Sequence, residues 1–495
     1  MSRIIIQNGN MCELDLPLKF AQKLYNEFAI RHPNAFYLRT RQRGMQNWDG
    51  KIHYITKTGQ FKIGLLPKVY DMCIEMGIKP KVVDMRQPLP KVSKVVTNIG
   101  KYKLRPEQEK AVKAVINNKI GNTPFHIGVL DYTVNAGKTL IMSSLYLSYK
   151  KQLKTLLITN DSDWLNQARE EFKQYLPGED ITFVQGKVLN WSNFTIGMVQ
   201  SISRNMRFYQ KELSQIDMVL IDEADQGGSK QYQNVITRLF NTRIRIGLSG
   251  TIYMSKLAKD RVKNMNLECF FGKVIAEFKL KDSIKKGYST KTVVKMVPGK
   301  PWYGNWESDC ISYKEIYDDS ITNCYTAWLM AYNRLLWNLN QGRYPALVVC
   351  KHIAHCENLY KFFKKKLGDA YNIAYVHVNT PSKLRQQIMK DFREGKIDIL
   401  VSTTIIARGK NFPKLRYLLN AASMDSQEKS IQFLGRLVRT DESKSRVYLD
   451  DLHYPGNYLD RHGKHRKQYY QRQELKVILL DKLWKKHPNH SLTNS

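Results

Sequence analysis

Between residues 125 and 249, five short apolar runs alternate with stretches of helical spacing: FHIGVLD (125–131), TLLIT (155–159), TIGMV (195–199), MVLID (218–222) and IRIGLS (244–249). The pattern recurs in ALVVC (346–350), AYVHV (374–378), DILVS (398–402), YLLNA (417–421) and RVYLD (446–450). Runs without a polar alternate face must be buried on both sides, and a parallel sheet with helices over both faces provides that burial. Two such units in succession predict an α/β chain with two tandem parallel-sheet lobes, over residues 96–275 and 276–455. A smaller α/β unit is expected over 1–95. It has a short β-like start, a helix-like stretch at 17–30, a strand pair around 35–57, a second helix near 67–77 and a Pro-containing linker at 86–94. Residues 456–495 form a basic tail whose RHGKHRKQYYQRQ (461–473) reads either as a contact to phosphates and bases or as a solvated terminal helix.

Charge narrows the partners. Lys+Arg number 79 against 44 Asp+Glu, a formal net charge of +35. An excess of this size favours a polyanion, nucleic acid above all. Seven cysteines without a CxxC pair give no disulfide framework and suit a reducing compartment. Cys350, His352, His355 and Cys356 fit no usual zinc spacing and read as a buried strand end running into a helix. The N-terminus lacks the apolar core of a signal peptide, and no apolar stretch approaches the ~20 residues needed to span a bilayer. A cytoplasmic protein without a membrane partner is expected.

The chemistry is concentrated in three segments. TVNAGKT (133–139) follows the first apolar run and precedes the helical LIMSSLYLSYK (140–150), the strand–loop–helix context of a phosphate-binding loop. Gly137 lets the backbone approach phosphate, and the N–H groups of the helix start face negative charge. Lys138 is placed to reach the β- and γ-phosphates of ATP, and the Thr139 hydroxyl to ligate Mg²⁺. The usual first glycine falls on Tyr132, and Asn135 stands where Gly or Ser is common. MVLIDEAD (218–225) ends a buried strand in an acidic pair, which is costly unless it meets a cation. Asp222 is therefore read as a Mg²⁺ ligand through water, and Glu223 as the group that orients or deprotonates the attacking water. The plain alternative is a strand running into an acidic turn. In QFLGRLVR (432–439), Arg436 and Arg439 are three apart and predicted on one helix face. Guanidinium groups so presented stabilise a transferring phosphoryl group, by roughly 10³–10⁵ in rate. An ordinary basic helix is the alternative.

The order of these segments resembles the superfamily 2 helicases across residues 100–450. KYKLRPEQEKAV (101–112) resembles the element ahead of the phosphate loop, TVNAGKT motif I, DEAD (222–225) motif II, LSGT (248–251) motif III, ILVSTTIIARGKNFP (399–413) motif V and QFLGRLVR motif VI. The resemblance implies two RecA-like lobes behind a small N-terminal accessory domain. It implies that Gln108 reads the adenine and that Arg105, Thr133, Asn135, Ala136 and Gly409 complete the nucleotide site between the lobes. It also implies that Gln432 lies toward the γ-phosphate, with Arg436 and Arg439 as fingers. Departures are TNDSDWLNQ (159–167) after the second run, SGT for SAT, Gln432 for His and Asn411 for a common aspartate, so the DEAD tetrad does not imply an RNA substrate.

A narrower resemblance covers nearly the whole chain. RTRQRGMQNWDGKIHYI (39–55), GLLPKVYDMCIEMG (64–77) and ALVVCKHIAHCENL (346–359) are similar to phage UvsW-type helicases. That family implies unwinding and remodelling of branched DNA: branch migration, fork regression and removal of R-loops, with RNA–DNA hybrid as a further substrate. Nucleic-acid contacts implied by the wider resemblance are Asn160, Gln167, Gln200 and Ser201 in the first lobe and Lys351, Thr403 and Thr404 in the second. In the first 95 residues, Arg39, Arg41 and Arg43 alternate along an expected strand, which puts them on one face for DNA contact. Trp48 is expected to anchor the WDG turn, or else to stack on a base. An RNA helicase, the motor of a restriction system and a non-enzymatic basic scaffold remain as alternatives.

Overall fold

The computed structural model describes residues 2–41, 44–149, 152–186, 188–253, 260–299, 312–407 and 412–480. The chain divides into two compact units, 1–278 and 279–495.

The first unit is built on an eight-stranded sheet. Its order is Val188–Leu189, Ile181–Gln185, Phe194–Met198, Thr155–Thr159, Met218–Asp222, Ile244–Ser249, His126–Tyr132 and Val274–Phe278. All pairings are parallel except the one at the Val188–Leu189 edge. The five strands expected from apolar runs are the five central ones, and every residue in them is buried. The strands outside those runs, Ile181–Gln185 and Val274–Phe278, are half-buried and lie toward the edges, where a continuous apolar run is not required.

The first 95 residues belong to the same unit. Their four-stranded sheet runs Gln60–Lys62, Met11–Asp15, Arg3–Ile6 and Lys81–Asp84. Ile4, Ile6, Phe61 and Leu65 share one hydrophobic core with Ile127 and Val129 of the large sheet and Phe271 of the helix Arg261–Phe271. The joint is sealed by Arg245, fully buried, whose guanidinium donates to Gly9 O (2.6 Å), Asn10 Oδ1 (2.8 Å) and Phe270 O (3.2 Å). Burial, with Arg86 adding to it, pushes Arg245 down to about 9.

One expectation for this region is overturned. Residues Ala35–Arg41 form a helix, and only Lys51–His53 is a strand, paired antiparallel with Ala29–Arg31. The turn at Pro33–Asn34 starts the helix: Ala35 N donates to His32 O and Leu38 N to Asn34 O, both at 3.0 Å. The inward residues, buried Ala35 and half-buried Leu38, are spaced by three and not by two. Arg39 and Arg41 therefore lie about 200° apart around a helix, not on one strand face. Arg43 lies outside the described residues.

The second unit carries a seven-stranded, wholly parallel sheet in the order Ile373–Val376, Ile399–Thr403, Ala346–Cys350, Tyr417–Asn420, Arg446–His453, Lys291–Pro298 and Val477–Leu479. Cys350 ends its strand and His355 and Cys356 enter the helix Ile353–Leu367, all three buried. Of the basic segment 456–495, residues 481–495 lie outside the described residues, and the part before them is not a solvated helix. Asn457–Arg472 is a helix packed on the sheet, with Arg466, Tyr469 and Tyr470 buried in it. Among the described residues, no helix is long and apolar enough to cross a membrane.

Candidate ATP site and nucleic-acid contacts

The phosphate-loop candidate springs from the strand His126–Tyr132. Tyr132 completes that strand instead of opening the loop, its phenol donating to Glu107 O at 2.8 Å. Two residues of the loop then adopt left-handed backbone, Asn135 (φ 64°) and Gly137 (φ 71°), and the helix Lys138–Ser148 begins. A side chain at Gly137 would collide with the Gln108 amide. Gln108 is 1% exposed; its Nε2 donates to Ala136 O (2.9 Å) and its Oε1 accepts from Arg105 N (2.8 Å). Gln108, the expected adenine reader, holds the loop in this structure through one backbone bond at each end of its amide. Arg105 reaches Asn135 O at 3.5 Å. Thr133 is buried, its N–H donating to Phe278 O at 3.0 Å. Thr139 is half-buried on the first turn of the helix.

Two strands away, Met218–Asp222 delivers its acidic end to the same loop. Lys138 Nζ lies 3.5 Å from Asp222 Oδ1. Burial pulls the ammonium down, but Asp222, Glu223 and Asp225 together outweigh it, so Lys138 holds its proton. Burial likewise pushes the Asp222 carboxyl up, with Lys138 opposing. Asp222 Oδ1 accepts no hydrogen bond, and neither Nδ2 nor Oδ1 of Asn135 has a partner. Buried polar atoms of this kind are uncommon in native folds and each calls for an explanation. Glu223 sits in left-handed backbone (φ 52°), a conformation an L-residue adopts at a cost and that gathers at functional sites.

The strand between the loop strand and the acidic strand, Ile244–Ser249, ties the two together. Ser249, fully buried, donates to Asp225 Oδ1 at 2.8 Å and lies 3.2 Å from Thr251 Oγ1. Sequence reading missed Asp225 and Ser249 as a pair. The signal was a second buried acid (6% exposed) at the end of the DEAD tetrad, with a serine ending a neighbouring parallel strand.

The donor set fits a divalent cation. A buried carboxylate oxygen without a hydrogen-bond donor and a hydroxyl on the first turn of the adjacent helix are hard oxygen ligands of the kind Mg²⁺ takes.

The nucleic-acid candidates of the first unit are partly gathered. Gln200 Nε2 donates to Asn160 O at 3.3 Å, while Gln200 Oε1 is buried without a partner. Ser201 Oγ accepts from Gly186 N at 3.0 Å. Gln167 stands apart, exposed on the helix Ser162–Tyr175 and bonded to Glu171. Trp48 is a turn anchor: its indole N–H donates to Lys51 O at 2.8 Å and it packs edge-on to His32.

In the second unit, Gln432 and Arg436 are four apart on the helix Gln427–Leu437 and share a face. Arg439 does not: the helix closes at Val438, whose carbonyl accepts from Thr290 N at 2.8 Å, and Arg439 lies beyond it. Thr404 Oγ1 accepts from Lys429 Nζ at 3.2 Å. Lys351 stands 3.9 Å over the Tyr313 ring, and burial together with the charge of Lys429 lowers it. Lys429 was not foreseen, since a lone lysine two residues into a helix carries no sequence signal. Thr403 is buried at the end of its strand. Gly409 and Asn411 lie outside the described residues.

Comparison with known proteins agrees with this arrangement. Residues 101–254 match the family model described as Type III restriction enzyme, res subunit, and residues 329–441 match Helicase conserved C-terminal domain. The ATP-dependent DNA helicase uvsW of Enterobacteria phage T4 is 21% identical, covering 88% of this chain and 90% of that one. The crystal structure of T4 UvsW aligns over 97% of this chain and 98% of that one, at 19% identity and a TM-score of 0.46. The ATP-dependent Type ISP restriction-modification enzyme LlaBIII bound to DNA shares the fold at a TM-score of 0.57 and 15% identity, over 82% of this chain and 34% of that one. With the restriction-enzyme res-subunit model matched in the first unit and the helicase C-terminal model in the second, and a helicase similar along 88% of the chain, the chain belongs to the superfamily 2 helicases, ATP-dependent enzymes that act on nucleic acid.

Proposed function

We propose that this helicase is a DNA motor that unwinds or remodels forked and branched DNA, in the manner of the T4 relative. Support comes from the similarity along 88% of the chain to a DNA helicase and from the +35 charge. The observation that carries the ATP chemistry is the buried, undersupplied acidic end: Asp222 Oδ1 without a hydrogen bond, 3.5 Å from a protonated Lys138.

Each residue has a task. Lys138 offers a fixed cation to the β- and γ-phosphates, and the Asn135 amide offers a donor to an anion seated in the loop. Thr139, and Asp222 through water, would hold Mg²⁺, which would supply positive charge to the phosphate oxygens. Glu223 orients the attacking water and accepts its proton. Arg436, joined by Gln432 and Arg439, counters the charge of the transferring phosphoryl group. Ser249 and Asp225 link the acidic end to motif III. Asn160, Gln200, Ser201, Thr404 and Lys351 grip the backbone of one strand, where phosphate contacts set affinity without reading sequence.

The test is steady-state hydrolysis at one fixed low salt concentration, without nucleic acid and then with single-stranded DNA, forked DNA and matched RNA. Stronger stimulation by forked DNA than by RNA is expected. Equal or greater stimulation by RNA would make the chain an RNA helicase instead.

A further inference from the structure

Trp48 is committed to its turn, and the exposed aromatics lie elsewhere. On the helix Ala35–Arg41, Phe36 is 80% exposed and Tyr37 54% exposed. The helix is moored on its other side, through buried Ala35 and half-buried Leu38, with Ala35 packed against Gly50. At 100° per residue, the outward arc runs Arg39, Phe36, Thr40, Tyr37, Arg41. The two arginines thus bracket the aromatic pair. Arg41 lies 4.9 Å from the centre of the Tyr37 ring, and Thr40 Oγ1 donates to the Phe36 and Tyr37 carbonyls, which firms the turn beneath them.

We propose that this helix is a stacking platform for unpaired nucleobases at a junction between single strand and duplex. Phe36 and Tyr37 take the base faces, and Arg39 and Arg41 take the adjoining phosphates. The proposal rests on the nucleic-acid motor reading above. An aromatic face accepts any base, which suits a sequence-tolerant motor. A protein partner seeking the same apolar pair would have to bury or neutralise both flanking arginines, whereas a nucleic-acid strand presents its phosphates at the spacing of its bases. The net charge of +35 points the same way.

The experiment measures binding of the full-length protein to a DNA fork with unpaired arms, and to the matched RNA fork, across a salt series. Phe36→Ala/Tyr37→Ala is expected to weaken fork binding by about 5- to 100-fold, with the slope of log affinity against log salt unchanged. Phe36→Trp should hold wild-type affinity. Arg39→Ala should flatten the slope by about 0.7–0.9, the signature of one lost phosphate contact. Leu18→Ala, which trims a 79%-exposed side chain elsewhere in the same 95 residues, should change nothing. Hydrolysis without nucleic acid should be the same in every variant. Wild-type fork affinity in the double variant, or a loss that appears only as a changed salt slope, overturns the platform and leaves the DNA motor standing. A wild-type preference for the RNA fork, with the double variant weakened on both, overturns the DNA reading and leaves the platform standing.

Discussion

Each sheet buries aspartate in a strand, Asp222 in the first unit and Asp450 and Asp451 in the second, and the chain supplies the two sites differently. In the second unit, Asp450 and Asp451 lie within the strand Arg446–His453 and point to opposite faces, so a helix on each face supplies an arginine. Arg334 Nη2 reaches Asp450 Oδ2 at 2.6 Å, with Asn338 and Tyr417 donating to the same oxygen, while Oδ1 has no hydrogen-bond partner. Asp451 accepts on both oxygens, from Arg466 (2.9 Å), Tyr470 (2.7 Å) and Asn420 (2.9 Å). In the first unit, Asp222 is also buried but ends its strand and faces one lysine at 3.5 Å; like Asp450, it keeps one oxygen without a hydrogen bond. Burial alone therefore does not mark a working carboxylate. An oxygen without a partner does not mark one either, since Asp450 Oδ1 is such an atom; what sets Asp222 apart is its place at a strand end facing one lysine at 3.5 Å, where Asp450 and Asp451 are each held by an arginine at 2.6–2.9 Å.

That contrast can be broken experimentally. The largest effect expected is at Arg436: Arg436→Ala should lower kcat by about 10³–10⁵, as read by stopped-flow phosphate release. Glu223→Gln should lower kcat by about 10²–10⁴ and leave nucleotide binding intact, which a fluorescent ATP analogue would report. The direct comparison is Asp451→Ala against Asp222→Asn. The first strands a buried guanidinium and should cost about 3–5 kcal/mol in denaturant unfolding. The second removes a poorly solvated charge and should leave stability equal or higher while hydrolysis fails. Equal stability losses in both would erase the distinction between an aspartate held by an arginine and one facing a lysine at 3.5 Å.

A smaller effect concerns pH in the second unit. Burial, with a lesser push from His352, brings His355 from 6.5 down to about 3, and its Nδ1 lies 3.0 Å from the Tyr317 hydroxyl. A depressed pKa favours the neutral ring in the fold, so its contribution is fully present above pH 6.5. As pH falls from 6.5 toward 3, the unfolded chain takes the proton first and stability is lost, at up to about 1.4 kcal/mol per pH unit. His355→Gln should unfold with a shallower acid limb over that window than wild type; an unchanged limb would put the acid sensitivity in the carboxylates.

The sequence revealed the elements whose physics is local. Apolar runs marked the central strands because those strands are covered on both faces, and TVNAGKT and DEAD announced themselves by the charge they carry into a buried place. It concealed what depends on partners distant in the chain. RHGKHRKQYYQRQ looks like a solvated basic segment until Asp451 is brought beneath Arg466. The strand Lys291–Pro298 is only partly apolar because it lies near the sheet edge. Arg39 and Arg41 alternate in sequence as a strand would, yet the turn at Pro33–Asn34 commits them to a helix. Gln108 is legible as a nucleotide-site residue, but its hold on Ala136 O follows from the left-handed loop and not from any spacing.

The seam between the first 95 residues and the large sheet is made of backbone as much as side chains. Gly9 N donates to Phe240 O at 2.6 Å, and a side chain at Gly9 would stand 2.5 Å from Leu239 O; Gly64 sits as tightly against the Glu268 carbonyl. A joint this close has no slack. Whatever swing the ATP-binding sheet makes, the four-stranded sheet makes with it, so the leading segment is a fitting bolted to the engine block and not a tethered sensor. The joint also makes the fitting hard to detach: a fragment starting at residue 96 would carry a raw apolar wound where the graft had been.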